Sequence, residues 1–278
     1  MPVLDGVLDP GEPAEASAVR EWVSALGEWL GADASGVVES PGVRMLGTLP
    51  ARELTATAKL ASSCITRLQK MLGERAFGQA PGGAVIVSFT NRDHYYRYVS
   101  AYTPEGEQGE SAGMMIGGVY PHIALWGRGE TWQVYATVAH EMLHLAMHGV
   151  PLPLWLEEGL AQLFEADMET HYYEHGASRL DDIRGCQAYW RERGLEAFWA
   201  GYAFYEAGDG QKYSYLLGEL LVRGLVARYG RRKWFRRKEP TAFERFVWAC
   251  DEDDDGARAA REELGQTLEE IAGEFLER

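Results

Sequence analysis

The chain has 278 residues, 46% of them hydrophobic, with a formal net charge of −15 and a pI of about 4.9. That length allows one large domain or two small ones, and the apolar share suffices for a sizeable core. The acidic balance argues against general nucleic-acid binding. The lack of an eighteen-residue apolar run argues against a membrane-spanning helix, and three scattered cysteines, Cys64, Cys186 and Cys250, argue against a disulfide framework or a cysteine metal site.

Residues 1–16 are rich in Pro, Gly, Asp and Glu and read as a loose acidic arm. The start lacks a basic region followed by an apolar one, so no signal peptide is expected and a cytoplasmic location is the simplest expectation. Val19, Trp22, Val23, Leu26 and Leu30 form a helical stripe over 18–30. Residues 37–49 read as extended, interrupted by Gly42 and Gly47. Pro50 then starts a long helix to Leu72, stopped by Gly73. Residues 84–89 are the clearest strand, short and β-branched. Thr90-Asn91 can cap a helix through Val99. Two extended runs, Met114 to Tyr120 and His122 to Trp126, flank Pro121 and read as a hairpin or adjacent strands.

Residues 131–148 read as a largely buried helix, ended by Gly149 and Pro151, that carries His140-Glu141-Met142-Leu143-His144. Positions i and i+4 share a helix face, so His140 and His144 can point at one ion. Glu141 lies between them in sequence and can reach a water on that ion without ligating it. The pattern His-Glu-x-x-His is a known zinc-protease helix. A catalytic zinc takes three protein ligands plus water, and it lowers the pKa of that water to about 7. The plain alternative is a pair of core histidines, each satisfied by its neighbours. The third ligand is expected from the next helix, which begins near Leu154-Trp155-Leu156-Glu157-Glu158-Gly159-Leu160-Ala161.

That segment resembles the Trp-Leu-Asn-Glu-Gly-Phe-Ala stretch of the aminopeptidase N family. With the His-Glu-x-x-His it resembles the gluzincins, within the peptidase MA-like group. The resemblance implies a zincin-like fold and one zinc ion held by His140, His144 and Glu158, with Glu141 as general base. Glu157 stands where that family has Asn and is the other candidate ligand. Its plain reading is a helix-start acid favoured by the dipole. The metzincin pattern would need a histidine at position 150, which is Val150. Tyr215-Leu216-Leu217-Gly218 opens an apolar helix and resembles the family's Tyr-x-x-Gly, which implies that Tyr215 steadies the oxyanion, with Tyr213 as the alternative. The resemblance also suggests that the Gly117–Leu125 region binds substrate backbone by strand addition. The family's Gly-x-Met-Glu-Asn acid, which reads a free amine, has no counterpart in Met114-Met115-Ile116-Gly117.

His122 reads as a loop or strand-edge histidine, and His148 as surface or a neighbour of the ligands. Glu165 could orient a ligand histidine but reads first as a solvated acid. His171 and His175 read as rim or surface residues. Residues 178–193 read as a helix, followed by an aromatic-rich stretch. The basic cluster around Trp234-Phe235 reads as cations at a helix end. Thr241-Ala242-Phe243-Glu244 opens another helix, Asp251 to Asp255 is an acidic loop without calcium spacing, and one or two helices close the chain.

The expected class is therefore α+β and mostly helical, with a small mixed sheet ahead of the His-Glu-x-x-His helix and a helical C-terminal part. The expected division is an arm and helix over 1–36, a catalytic core over 37–170, and a helical part over 171–278 that completes the cleft. The expected activity is a zinc metallopeptidase acting on a peptide or protein, with no nucleic-acid or membrane partner. The alternatives are a metal-binding or scaffolding module with little turnover, or a zinc hydrolase of a non-peptide amide or ester.

Overall fold

The computed structural model describes residues 16–31, 34–78, 80, 82–103, 112–118, 120–127, 132–168, 176–230 and 239–277. The acidic arm up to residue 15, His171, His175 and the basic cluster over 231–238 lie outside the described residues. The chain is mixed α+β and divides into two compact units, residues 1–70 with 74–148, and residues 71–73 with 149–278.

The first unit is built on a five-stranded sheet. Its strands are β1 (Val37–Ser40), β2 (Val43–Gly47), β3 (Ala84–Phe89), β4 (Gly113–Ile116) and β5 (His122–Trp126), in the spatial order β1-β2-β3-β5-β4. The extended stretch over 37–49 is a hairpin, β1 with β2, turned at Pro41-Gly42. β2, β3 and β5 run parallel, while β4 runs antiparallel to β5. All six residues of β3 are buried. A run of Val, Ile and Phe without polar alternation is what a strand covered on both faces requires.

Helices α1 (Ala16–Leu30) and α3 (Arg92–Val99) cover one face of the sheet. Val19, Trp22, Val23 and Leu26 of α1 meet Leu46, Val85, Val87 and Phe89, together with Tyr95 and Tyr98 of α3. Asn91 caps α3 by accepting the N–H groups of Asp93 and His94. Helix α2 (Ala51–Leu72) leads from β2 to β3, and α4 (Trp132–Met147) packs on β4 and β5. Side chains alternate along β4. Met114 and Ile116 join the α1/α3 layer, and Gly113 faces Thr137 of α4.

The second unit is helical. It contains α5 (Leu154–Met168), α6 (Gly176–Arg193), the short α7 (Glu196–Trp199), a 3₁₀ turn at Tyr202–Tyr205, α8 (Asp209–Tyr229), α9 (Ala242–Ala249) and a last helix at Leu268–Leu276. Thr241 and Glu244 form a reciprocal capping box at the start of α9. α5 and α8 cross with their backbones in contact. A Cβ at Gly159 would stand 2.5 Å from the Gly218 carbonyl oxygen and 2.8 Å from Val222. Charge ties three helices together. The buried Glu219 of α8 accepts from Arg179 of α6 at 2.7 Å and from Arg223 at 2.9 Å, and Arg223 also reaches Asp167 of α5 at 3.4 Å.

Tyr215 does not open its helix. α8 begins six residues earlier, at Asp209, after Gly208 in a positive-φ conformation. Gly208 and Gly210 hide the polar first turn from a pattern reading, because glycine ordinarily marks a break.

Candidate metal centre

α4 is apolar on most sides. Val138, Ala139, Met142, Leu143, Leu145 and Ala146 are all buried. Into this setting the sequence puts three polar residues. His140 and His144 stand one turn apart and half-buried. Their Nε2 atoms lie 3.1 Å apart, and the rings meet at 60° with centroids 4.9 Å apart. Two nitrogens bound to one tetrahedral zinc at 2.0–2.1 Å would stand about 3.3–3.4 Å apart. The imidazole pair therefore needs to open by only a few tenths of an ångström to take such an ion.

Glu141 is 8% exposed, and its Oε2 accepts the Met115 N–H at 2.7 Å. The register of β4 accounts for that donor. Trp126 N–H donates to Ala112 C=O, so positions 112, 114 and 116 carry the ladder bonds to β5. Positions 113 and 115 then turn their backbone groups away from β5. The outward N–H of Met115 is the one that Glu141 takes. Beside it, a Cβ at Gly113 would collide with the Thr137 Cγ2 methyl and stand 3.0 Å from Glu141 Cγ.

Glu158 lies in the second turn of α5, half-buried. It belongs to the second unit, whereas His140 and His144 belong to the first. Two imidazoles and a carboxylate are a donor set that zinc accepts at catalytic sites, so the residues present fit the ion.

Within the second unit Glu158 immediately precedes Gly159, at the crossing of α5 with α8. Tyr215 lies one turn before Gly218 on α8, with Phe204 edge-on at 5.3 Å. Tyr213 is placed elsewhere. Its hydroxyl lies against Gly185 of α6, 2.5 Å from where a Cβ would be, and its ring packs on Tyr189 at 5.4 Å.

Two sequence expectations change. The Gly117–Leu125 stretch offers no strand edge along β5, because β5 is paired with β3 on one side and β4 on the other. β4 is the edge strand. His122 is not a loop or edge residue. It is 1% exposed, with Nδ1 3.0 Å from the Tyr120 carbonyl and Nε2 2.8 Å from the Tyr98 hydroxyl. Burial pushes its pKa down to about 4. His148 is half-buried beside Gly117. A cavity of about 360 Å³ opens next to Thr137, one turn before Glu141, lined by Thr90, Trp126, Gly127 and Val134.

Sequence reasoning missed Met115 as the partner of Glu141. A backbone N–H has no residue signature, and the one available hint was a small residue, Gly113, two positions away. No protein-family model matches the chain, and no curated protein matches it.

Proposed function

We propose that this chain is a zinc-dependent metallopeptidase of the gluzincin type, with a zincin-like fold and His140, His144 and Glu158 as the metal ligands. The observation that carries the reading is the pair of imidazole nitrogens 3.1 Å apart on one face of a buried helix, with a carboxylate next to them in sequence. Core histidines that merely fill space have no need to aim the same ring nitrogen at each other. Glu158, at the position where the resemblance puts the third ligand, adds the remaining donor.

When bound, zinc supplies Lewis acidity and makes water acidic enough to attack at neutral pH. The rest of the chemistry belongs to the chain. Glu141 takes a proton from the attacking water as the oxygen bonds to the carbonyl carbon. It then gives that proton to the departing amine nitrogen as the carbon–nitrogen bond breaks. Its burial keeps bulk water from competing for that proton. Tyr215 donates its hydroxyl to the carbonyl oxygen as charge builds there. The recess beside Thr137 has the size to take a substrate side chain. The lack of an acid in Met114-Met115-Ile116-Gly117 favours cleavage within a chain over trimming from a free amine.

The test is metal content together with Glu141→Gln. The wild-type protein is expected to hold one zinc by elemental analysis and to cut a mixed peptide library. Glu141→Gln is expected to keep the zinc and lose roughly 10²- to 10⁴-fold in turnover. A wild type without zinc, or a variant of equal activity, rejects the reading.

A further inference from the structure

Glu141 is held directly by a strand, and the two features that hold it both lie on β4. The Met115 N–H points out from the free edge of the sheet and donates to Oε2 at 2.7 Å. Two residues away the chain has no side chain at all, and that gap is filled by the Thr137 methyl and the Glu141 stem. A four-residue edge strand would otherwise leave that N–H to water.

We infer that β4 is the positioning element of the base. The Met115 N–H anchors one carboxylate oxygen, and the bare Cα of Gly113 lets α4 come close enough for that bond. This rests on the proposed peptidase reading. One anchored oxygen fixes the χ angles of a side chain that would otherwise sample several rotamers. The second oxygen is then presented in one place, where it accepts and returns the proton. The same contact has a consequence for recognition. An extended peptide laid along β4 finds the Met115 N–H already taken, so residue 115 is not a docking point for substrate backbone. Met115 is a positioning residue through its main chain, which explains why its side-chain type says nothing about the role.

Two measurements test this. The first needs no activity. The chain has eight methionines, so selective ¹⁵N-methionine labelling gives few amide signals, and Met115→Leu assigns the one of interest. The Met115 amide is expected to be protected from hydrogen exchange in the wild type and in Glu141→Gln, which keeps an acceptor oxygen. It is expected to lose that protection in Glu141→Ala. Equal exchange in wild type and Glu141→Ala overturns the proposal.

The second is Gly113→Ala, whose new Cβ pushes strand and helix apart. It is expected to retain one zinc and to lose about 10²-fold in kcat, the size of effect that follows from displacing a reacting group by about 1 Å, with KM changed far less. Adding Thr137→Ser removes the methyl that the new Cβ meets and is expected to restore part of kcat. If Gly113→Ala alone does not fold, the pair with Thr137→Ser carries the same comparison against Thr137→Ser. An unchanged kcat in the folded, zinc-loaded variant overturns the proposal. A wild type with neither zinc nor cleavage would instead reject the peptidase reading, while the amide measurement would still decide whether the strand holds Glu141.

Discussion

Three histidines of this chain show how placement decides what an imidazole does. His140 and His144 are half-buried and aim the same ring atom at each other. His122 is closed off, and each of its nitrogens has a partner. The geometry fits one tautomer, in which Nδ1–H donates to the Tyr120 carbonyl and Nε2 accepts the Tyr98 hydroxyl. The Trp22 ring stands edge-on at 4.8 Å, and Tyr102 at 5.2 Å is the further titratable side chain in ring contact. A proton on Nε2 would turn that acceptor into a donor facing a hydroxyl in an apolar core. The folded pKa of about 4 lies below the usual 6.5. Between these values the unfolded chain binds a proton that the folded chain does not, so stability falls as pH drops through 6.5 and levels off below 4. The full effect is about 3 kcal/mol by linkage. Urea titrations at pH 7, 5.5 and 4.5 check it. His122→Gln is expected to be less stable at pH 7 but to lose this part of the pH dependence. A wild type and variant with parallel pH profiles would contradict the assignment.

At the scale of elements, the crossing of α5 and α8 makes a quantitative demand on two glycines. Alanine at either position gains about 1 kcal/mol of helix propensity. At Gly159 that gain is outweighed, because the new Cβ meets the Gly218 carbonyl at 2.5 Å and backbone cannot step aside. At Gly218 the neighbours are backbone as well, but the nearest, the Trp155 carbonyl oxygen, lies at 3.0 Å and has to give by only a few tenths of an ångström. Gly159→Ala is therefore expected to destabilise by about 1–3 kcal/mol, the usual cost of overpacking, and Gly218→Ala by much less, as read from urea midpoints. The reverse order would sink this account of the crossing. These helices also mark how far the sequence was legible. The stripe of α1, the β3 run, the Asn91 cap, α4 with its paired histidines and the Thr241 box were readable because each is local, set by residues within a few positions. What escaped was long-range. That β5 is an interior strand depends on pairing with β3, far off in sequence. That Met115 serves Glu141 depends on a register, and that Gly159 faces Gly218 depends on a helix crossing. The start of α8 was missed for a local reason, two glycines that look like a break. For the candidate site, the chemistry was readable in residue types and the support around it was not.

Taken whole, the chain carries 42 acidic and 27 basic side chains, and no helix among the described residues is long and apolar enough to cross a membrane. All three cysteines are buried and free, and burial pushes the thiols of Cys64 and Cys186 up to about 12. Ellman's reagent is expected to find almost no reactive thiol in the native protein and three after denaturation. A fast-reacting native thiol would contradict the packing described. The proposed zinc binding is expected to register on the entire molecule as well. A ligand at a hundredfold its dissociation constant stabilises by about 2.7 kcal/mol. Zinc is thus expected to raise the melting temperature of chelator-treated protein by several degrees, and His144→Ala to abolish that rise. No shift in the wild type would count against the metal centre. The brevity of the sheet's margins has a last consequence. Each outer strand, β1 and β4, is four residues long, and one of them has its outward donor engaged by a carboxylate. Exposed, unpaired strand margins are where fibrils seed and chains stick to one another. Removing the Glu141 carboxylate would therefore leave a stickier protein, one that clumps sooner on heating, whatever it does to catalysis.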